Sequence, residues 1–248
     1  MGFDPAELVP LGARGLEVTR LGLGTAPIGG LYEAVSDDHA AATVAASIAA
    51  GIRFFDTAPL YGHGLAESRL GRALEAIPRD QIVVATKVGR LLREVSFTDA
   101  IRFYYGTPDV NLIFDFSEQG VLRSIAESLD RLGLDRIDVL HIHDPDEHHD
   151  EALKGAFRAL ERLRDEGVIG AIGAGMNQSA LLTQFAGEAD FDCFLLAGRY
   201  TLLDHEALGA LLPHCADRKI SIIAAGVYNS GLLADPKPGA PFNYAPVD

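Results

Sequence analysis

Cysteine is scarce in this chain: Cys193 and Cys215 are its only two among 248 residues, and they have no C-x-x-C spacing. Two thiols so placed cannot build a disulfide framework, which points to a reducing compartment and to ordinary semi-buried side chains. Positive charge is also short. Twenty-one basic against thirty-five acidic residues leave a formal charge of −14. That balance repels phosphate backbones and anionic lipid surfaces, so neither nucleic acid nor membrane is an expected partner. No apolar run reaches bilayer-spanning length, and the opening MGFDPAEL lacks the basic and apolar regions of a secretory signal. Gly2 opens no myristoylation motif, because Ala6 stands where that motif needs Ser or Thr. The expectation is a cytoplasmic protein.

What is present is a core. A 48% hydrophobic content over 248 residues suffices for one α/β barrel, so a single domain over 1–248 is expected. Short β-rich apolar runs alternate with longer amphipathic stretches, the pattern of parallel βα units. Strands are predicted at 21–26, 52–57, 82–88, 137–143, 168–173, 191–197 and 220–226, with helices near 37–50, 65–76, 117–132, 149–166, 178–188 and 204–218. Ser36 followed by Asp37 and Asp38 suits a helix N-terminus, and Gly51, Gly133 and Gly167 fall where helix C-caps belong. Before the first barrel strand, residues 8–11 and 16–19 flank 12–15 as a small hairpin able to plug a barrel floor. The long loop 89–116 carries Phe97, Phe103, Tyr104, Tyr105, Phe114 and Phe116. Its length and aromatic content predict a lid, with Phe103, Tyr104 and Tyr105 as its apolar wall.

Barrel chemistry is assembled at the carboxyl ends of strands. Asp56 ends IRFFDT, Tyr61 follows in its loop, Lys87 ends IVVATK and His143 ends IDVLHIH. An ammonium at the mouth of so apolar a strand needs a carboxylate to offset its desolvation, and Asp56 is one strand away. A phenol exchanges protons near neutrality only beside a cation that stabilises its phenolate, and Lys87 can be that cation. His143 can then orient a substrate oxygen. Singly, an Asp is more often a cap and a Tyr more often packing; the combination on consecutive strands carries the reading.

The stretches RLGLGTAPIGG, FFDTAPLYGHGLAESRLGRAL, VVATKVGR, SIAESLDRLGLDRIDVLHIHDPD and AIGAGMN resemble the aldo/keto reductase superfamily. Within it they are similar to the bacterial aldose (L-fucose, D-threo-aldose) and pyridoxal dehydrogenase-like branch, over about 16 to 235. The resemblance implies a TIM (β/α)8 barrel of aldo/keto reductase type with Asp56, Tyr61, Lys87 and His143 as catalytic tetrad. It implies NADP or NAD as cofactor and a small sugar or aldehyde as substrate, with sugar 1-oxidation by direct hydride transfer first. Asn177 would bind the nicotinamide carboxamide and Tyr200 would stack on its ring. Thr25 and Ala26 would pass beneath the ribose, and Gly226, Val227, Tyr228 and Asn229, in the loop 226–231, would cover the pyrophosphate. The family does not use G-x-G-x-x-G, so the lack of that motif excludes nothing.

Three departures stand out. Ala197 occupies the place of a Gln that holds the carboxamide in many members, and GVYNSG replaces a commoner Ser-Pro-Leu loop. Members also continue beyond the seventh strand by a helix, an eighth strand and a final helix that carry the adenosine pocket. The expectation is therefore a barrel lacking its C-terminal eighth βα unit in this sequence, with strands 21–26 and 220–226 left as unpaired edges.

Two other readings compete. His141 and His143 share one strand face and could bind Zn²⁺ in a barrel hydrolase with Asp56 and Asp144, though Lys87 and Tyr61 would then have no role. A non-catalytic cofactor-binding barrel is the other, since fold does not fix function. Otherwise no metal is expected: His141 reads as a buried, hydrogen-bonded barrel residue, and His148 and His149 as a solvated helix start.

Overall fold

The structure, a computed structural model, describes residues 2–94, 104–242 and 245–246. A hairpin of β1 (Leu8–Pro10) and β2 (Glu17–Thr19) opens the chain, with Leu8 opposite Thr19 and Pro10 opposite Glu17. The barrel strands are β3 (Gly22–Gly24), β4 (Phe54–Asp56), β5 (Val83–Val88), β8 (Val139–His143), β9 (Ala171–Met176), β10 (Cys193–Ala197) and β11 (Ser221–Ala225). They form one parallel seven-stranded sheet in the order β11-β10-β9-β8-β5-β4-β3. Consecutive strands in sequence are thus neighbours in space, as the βα alternation requires. Among the described residues no ladder joins β3 to β11, and no eighth parallel strand lies between them.

Outside the sheet run α1 (Asp37–Ala49), α2 (Leu65–Leu74), α3 (Glu118–Leu132), α4 (His149–Glu151), α5 (Arg158–Asp165), α6 (Ser179–Glu188) and α7 (Leu211–Arg218). A π-helical stretch, Ala152–Phe157, joins α4 to α5. Ser36 caps α1 by accepting the His39 N–H at 3.2 Å, Ser117 caps α3 by accepting that of Gly120 at 3.1 Å, and Gly133 ends α3 at φ 63°.

Period-two alternation divides the strands between two cores. Phe55, Val84, Leu140, Ile142, Ile172, Phe194 and Leu196 point outwards and pack beneath the helices. Phe54, Ala85, Val139, Ala171 and Cys193 point inwards and meet Leu11 and Val18 of the hairpin segment, which closes the barrel floor. The same parity sends Asp56, Lys87, His141 and His143 inwards, one or two pleats above that floor.

Four local expectations are corrected. The fifth barrel strand begins at Ala171 rather than at 168, because Gly167 adopts φ 72° and Val168 still donates to the Leu163 carbonyl at 2.8 Å in the turn leaving α5. The predicted helix 204–218 is split into a 3-10 turn, Glu206–Leu208, and α7. Pro213 explains the break: lacking an N–H and crowding the carbonyl four residues back, it is tolerated only in a helix's first turn, where α7 places it. The loop 89–116 contains an antiparallel ribbon, β6 (Arg90–Arg93) with β7 (Asn111–Phe114). Both cysteines are fully buried rather than semi-buried, and burial pushes the Cys193 thiol upward.

Candidate active site

Lys87 sits near the end of β5, 1% exposed. Its ammonium donates to Asp56 Oδ1 at 2.8 Å, Asp56 Oδ2 at 2.7 Å and the Thr57 carbonyl at 2.8 Å. Three donors thus find three acceptors, which is what makes a buried ammonium tolerable. Burial pushes the Asp56 carboxyl above its usual range while Lys87 opposes the shift. A second buried pair supports β5 from outside: Thr86 Oγ1 donates to Glu67 of α2 at 2.7 Å, and Glu67 also accepts from Arg131 of α3 at 2.6 Å.

Tyr61 enters from the loop after β4. That loop runs through three consecutive left-handed residues, Gly62 at φ 61°, His63 at φ 52° and Gly64 at φ 88°. A Cβ on Gly62 would stand 2.2 Å from the Gly29 carbonyl oxygen, so the turn that aims Tyr61 inwards needs glycine there on both counts. The Tyr61 ring lies 4.8 Å from the Lys87 ammonium and meets the His143 ring edge-on at 5.9 Å. Desolvation, then the charges of Arg90 and Lys87, hold His143 well below the usual imidazole range, so it is a neutral imidazole at working pH.

These side chains line a cavity of about 380 Å³ together with Ala26, Leu31, Leu60, Arg90, Tyr104, Asp144, Asn177, Leu195 and Ala197. Its walls are mostly apolar with few convergent polar groups, the composition of a small-molecule site. Asn177 follows β9 directly and donates through Nδ2 to the Ala197 carbonyl at 2.7 Å. Ala197, which cannot supply a side-chain contact, thus fixes the Asn177 amide through its main chain.

The structure therefore brings Tyr61, Lys87, His143, Ala26 and Asn177 to one cavity, with Asp56 beneath Lys87. Thr25 is buried below the rim with its Oγ1 unpartnered among the described residues. Tyr200, 39% exposed, and Gly226, Val227 and Tyr228 lie outside the residues that line the cavity. Asn229 is buried at φ 51°, and neither atom of its amide has a hydrogen-bond partner among the described residues.

Of the predicted lid wall, Tyr104 lines the cavity with its ring 6.4 Å from that of Tyr61, Tyr105 is exposed, and Phe103 and Phe97 lie outside the described residues. Phe116 is buried and Phe114 is exposed. Sequence reasoning did not place Arg90 in the site, and it weighed Asp144 only as a metal ligand. Their signal was positional: Asp144 directly follows β8, and Arg90 stands two residues beyond the end of β5.

His141 is buried but not hydrogen-bonded, a correction to the expectation. Both its ring nitrogens lack hydrogen-bond partners among the described residues, the nearest carboxylate oxygen of Asp56 is 4.0 Å away, and burial lowers its pKa to about 3. Inward parity at the level of Lys87 leaves it facing Gly173 and a cation rather than an acceptor. Among the described residues no three His, Cys, Asp or Glu side chains are arranged to hold a metal ion, and no helix is long and apolar enough to cross a membrane.

Comparison with known proteins places this geometry. The chain is 50% identical to D-threo-aldose 1-dehydrogenase from a Pseudomonas species over 232 residues, covering 91% of this chain and 70% of that protein. It is 41% identical to pyridoxal 4-dehydrogenase from Microbacterium luteolum, covering 99% and 78%. The fold matches a Bombyx mori aldo-keto reductase solved in complex with NADP, with a TM-score of 0.68 at 22% identity over 95% of this chain and 71% of that one. The aldo/keto reductase family profile matches residues 20–243. On the sequence, the barrel and the relatives together, the chain belongs to the aldo/keto reductase family of oxidoreductases.

Proposed function

We propose that the chain interconverts an aldose or aldehyde with its oxidised or reduced partner by direct hydride transfer with NAD or NADP, and that its preferred reaction is oxidation of a sugar at C1. The observation that carries the proposal is the convergence of Tyr61, neutral His143 and the Asp56-paired Lys87 on one largely apolar cavity. The names of the two relatives support the sugar and aldehyde class.

The residues fit a nicotinamide cofactor. Asn177 at the cavity wall would hold the carboxamide, Thr25 and Ala26 would pass beneath the ribose, and Tyr200 would stack on the ring. The unpartnered amide of Asn229, with Gly226, Val227 and Tyr228, would meet the pyrophosphate. A buried amide left without partners costs about 1–3 kcal/mol, which a polar ligand would recover. The bound nicotinamide supplies or accepts the hydride.

The protein's share of the work is proton transfer and charge placement. In sugar oxidation Tyr61 takes the proton of the anomeric hydroxyl, and in reduction it returns one to the carbonyl oxygen. The Lys87 cation beside its ring stabilises the phenolate, and Asp56 keeps that cation charged and fixed. Neutral His143 donates a hydrogen bond that orients the same oxygen. The purified chain, offered NAD or NADP with a panel of aldoses, simple aldehydes and pyridoxal, should change nicotinamide absorbance with an aldose above the rest. No change with any member of the panel would reject the proposal.

A further inference from the structure

Arg90 and Asp144 are the only charged residues besides Lys87 that line the cavity among the described residues, and neither has a part in the proton transfer above. Asp144 follows His143 at the end of β8, at φ 39° with its N–H donating to the Gly175 carbonyl at 3.0 Å. Its Oδ2 accepts from Arg90 at 2.7 Å and stands 3.5 Å from His143 Nε2. Its Oδ1 makes no hydrogen bond to the described residues. The Arg90 guanidinium lies 4.9 Å from the centroid of the Phe114 ring, so a stacked cation fixes the carboxylate from behind. The Arg90 side chain is 11% exposed and that of Asp144 is 29%. The cavity is thus offered an acceptor held in place by its own counter-ion at the same wall.

We propose that Asp144, held by Arg90, recognises the hydroxyl on the carbon next to the reacting one, so that the site selects aldoses and other α-hydroxy aldehydes over unsubstituted aldehydes. This rests on the function proposed above, which places the reacting oxygen at His143. Oxygens on adjacent carbons lie about a hydrogen-bond length apart, and Asp144 Oδ2 stands 3.5 Å from His143 Nε2, so a substrate oxygen held by that imidazole brings its neighbouring hydroxyl beside the Asp144 carboxylate. An ionised carboxylate is acceptor-only, so it reads a hydroxyl and gains nothing from a hydrocarbon. Among the described charged residues at the cavity wall Asp144 is the one carboxylate, beside apolar stretches that include Leu31, Leu60 and Leu195.

The test compares kcat/KM for an aldose and for its 2-deoxy counterpart in the unaltered chain and in Asp144→Asn. Asn has the same size and tolerates positive φ. The unaltered chain should prefer the aldose by about 10- to 100-fold, the worth of one hydrogen bond to a charged group. Asp144→Asn should lose at least about ten times more on the aldose than on the 2-deoxy sugar, closing that gap. Equal losses on both sugars would overturn the proposal, since Asp144 would then act through His143. An unchanged preference would also overturn it, because the hydroxyl would be read elsewhere. An unaltered chain that turned over neither sugar but reduced simple aldehydes would reject the hydroxyl reading alone, whereas inactivity on every substrate would reject the proposed reaction with it.

Discussion

The carboxylate of Asp56 takes two of the three hydrogen bonds that the Lys87 ammonium donates, at 2.7 and 2.8 Å, with both residues buried, Lys87 at the cavity wall and Asp56 beneath it. Their coupling can be measured without substrate. Removing one partner of such a pair leaves an uncompensated charge and costs about 3–5 kcal/mol, whereas removing both does not. Asp56→Ala should therefore lower the denaturant midpoint sharply, and Asp56→Ala with Lys87→Met should recover part of the loss. Strictly additive losses would mean that the two groups are energetically independent.

Tyr61→Phe removes the transferable proton and leaves the ring on its Lys87 and His143 neighbours. The expected outcome is a fall in kcat of about 10²–10⁴, with cofactor affinity by fluorescence titration little changed. Near-normal turnover would move the proton-transfer role to another residue.

The path from sequence to these positions was short because both the fold and the site depend on alternation. A parallel strand read at period two already says that Phe54 and Asp56 share a face, as do Ala85 and Lys87, or His141 and His143. Register between strands then follows from consecutive βα units, and the observed pairing of Lys87 with His141 is its result. Elements that depend on one residue's backbone were harder to read. Gly167 delays β9 by one turn, and Pro213 starts α7 late. Arg90 and Asp144 were missed as a pair because 54 residues separate them and only the β5 to β8 neighbourhood joins them. Hydrophobic pattern carries no information about which polar group at a strand end meets which.

Of the two described aromatics in the predicted lid wall, one faces the cavity. Tyr104 lines the cavity and bridges to Leu31, while Tyr105 is exposed and donates its N–H to the Gly30 carbonyl at 2.9 Å. Tyr104→Ala should raise KM for the preferred sugar several-fold, and Tyr105→Ala should leave it near its starting value. Gly30 is at φ 93°, and a Cβ there would stand 2.3 Å from the Tyr105 carbonyl oxygen. Gly30→Ala should therefore displace this segment and raise KM as Tyr104→Ala does. If the Tyr105 variant had the larger effect, the wall would be assigned to the wrong ring.

Acid stability should report on His141. Burial lowers its pKa to about 3 in the fold, against about 6.5 in an unfolded chain, and His143 is shifted in the same direction. Between those two values the unfolded chain binds the extra proton and the folded chain does not, so stability rises with pH across the window. The contribution is fully present above about pH 6.5 and is lost as pH falls below it. For His141 alone the limiting slope is about 1.4 kcal/mol per pH unit. His141→Gln keeps a polar side chain of similar reach but cannot take up that proton. Plotted from pH 7.5 to 5, its denaturant midpoint should decline less steeply than that of the unaltered chain. Parallel curves would show that the His141 imidazole is not what links folding to protons in this range, and the decline would have to be carried by His143 or His63, whose pKa values burial also lowers.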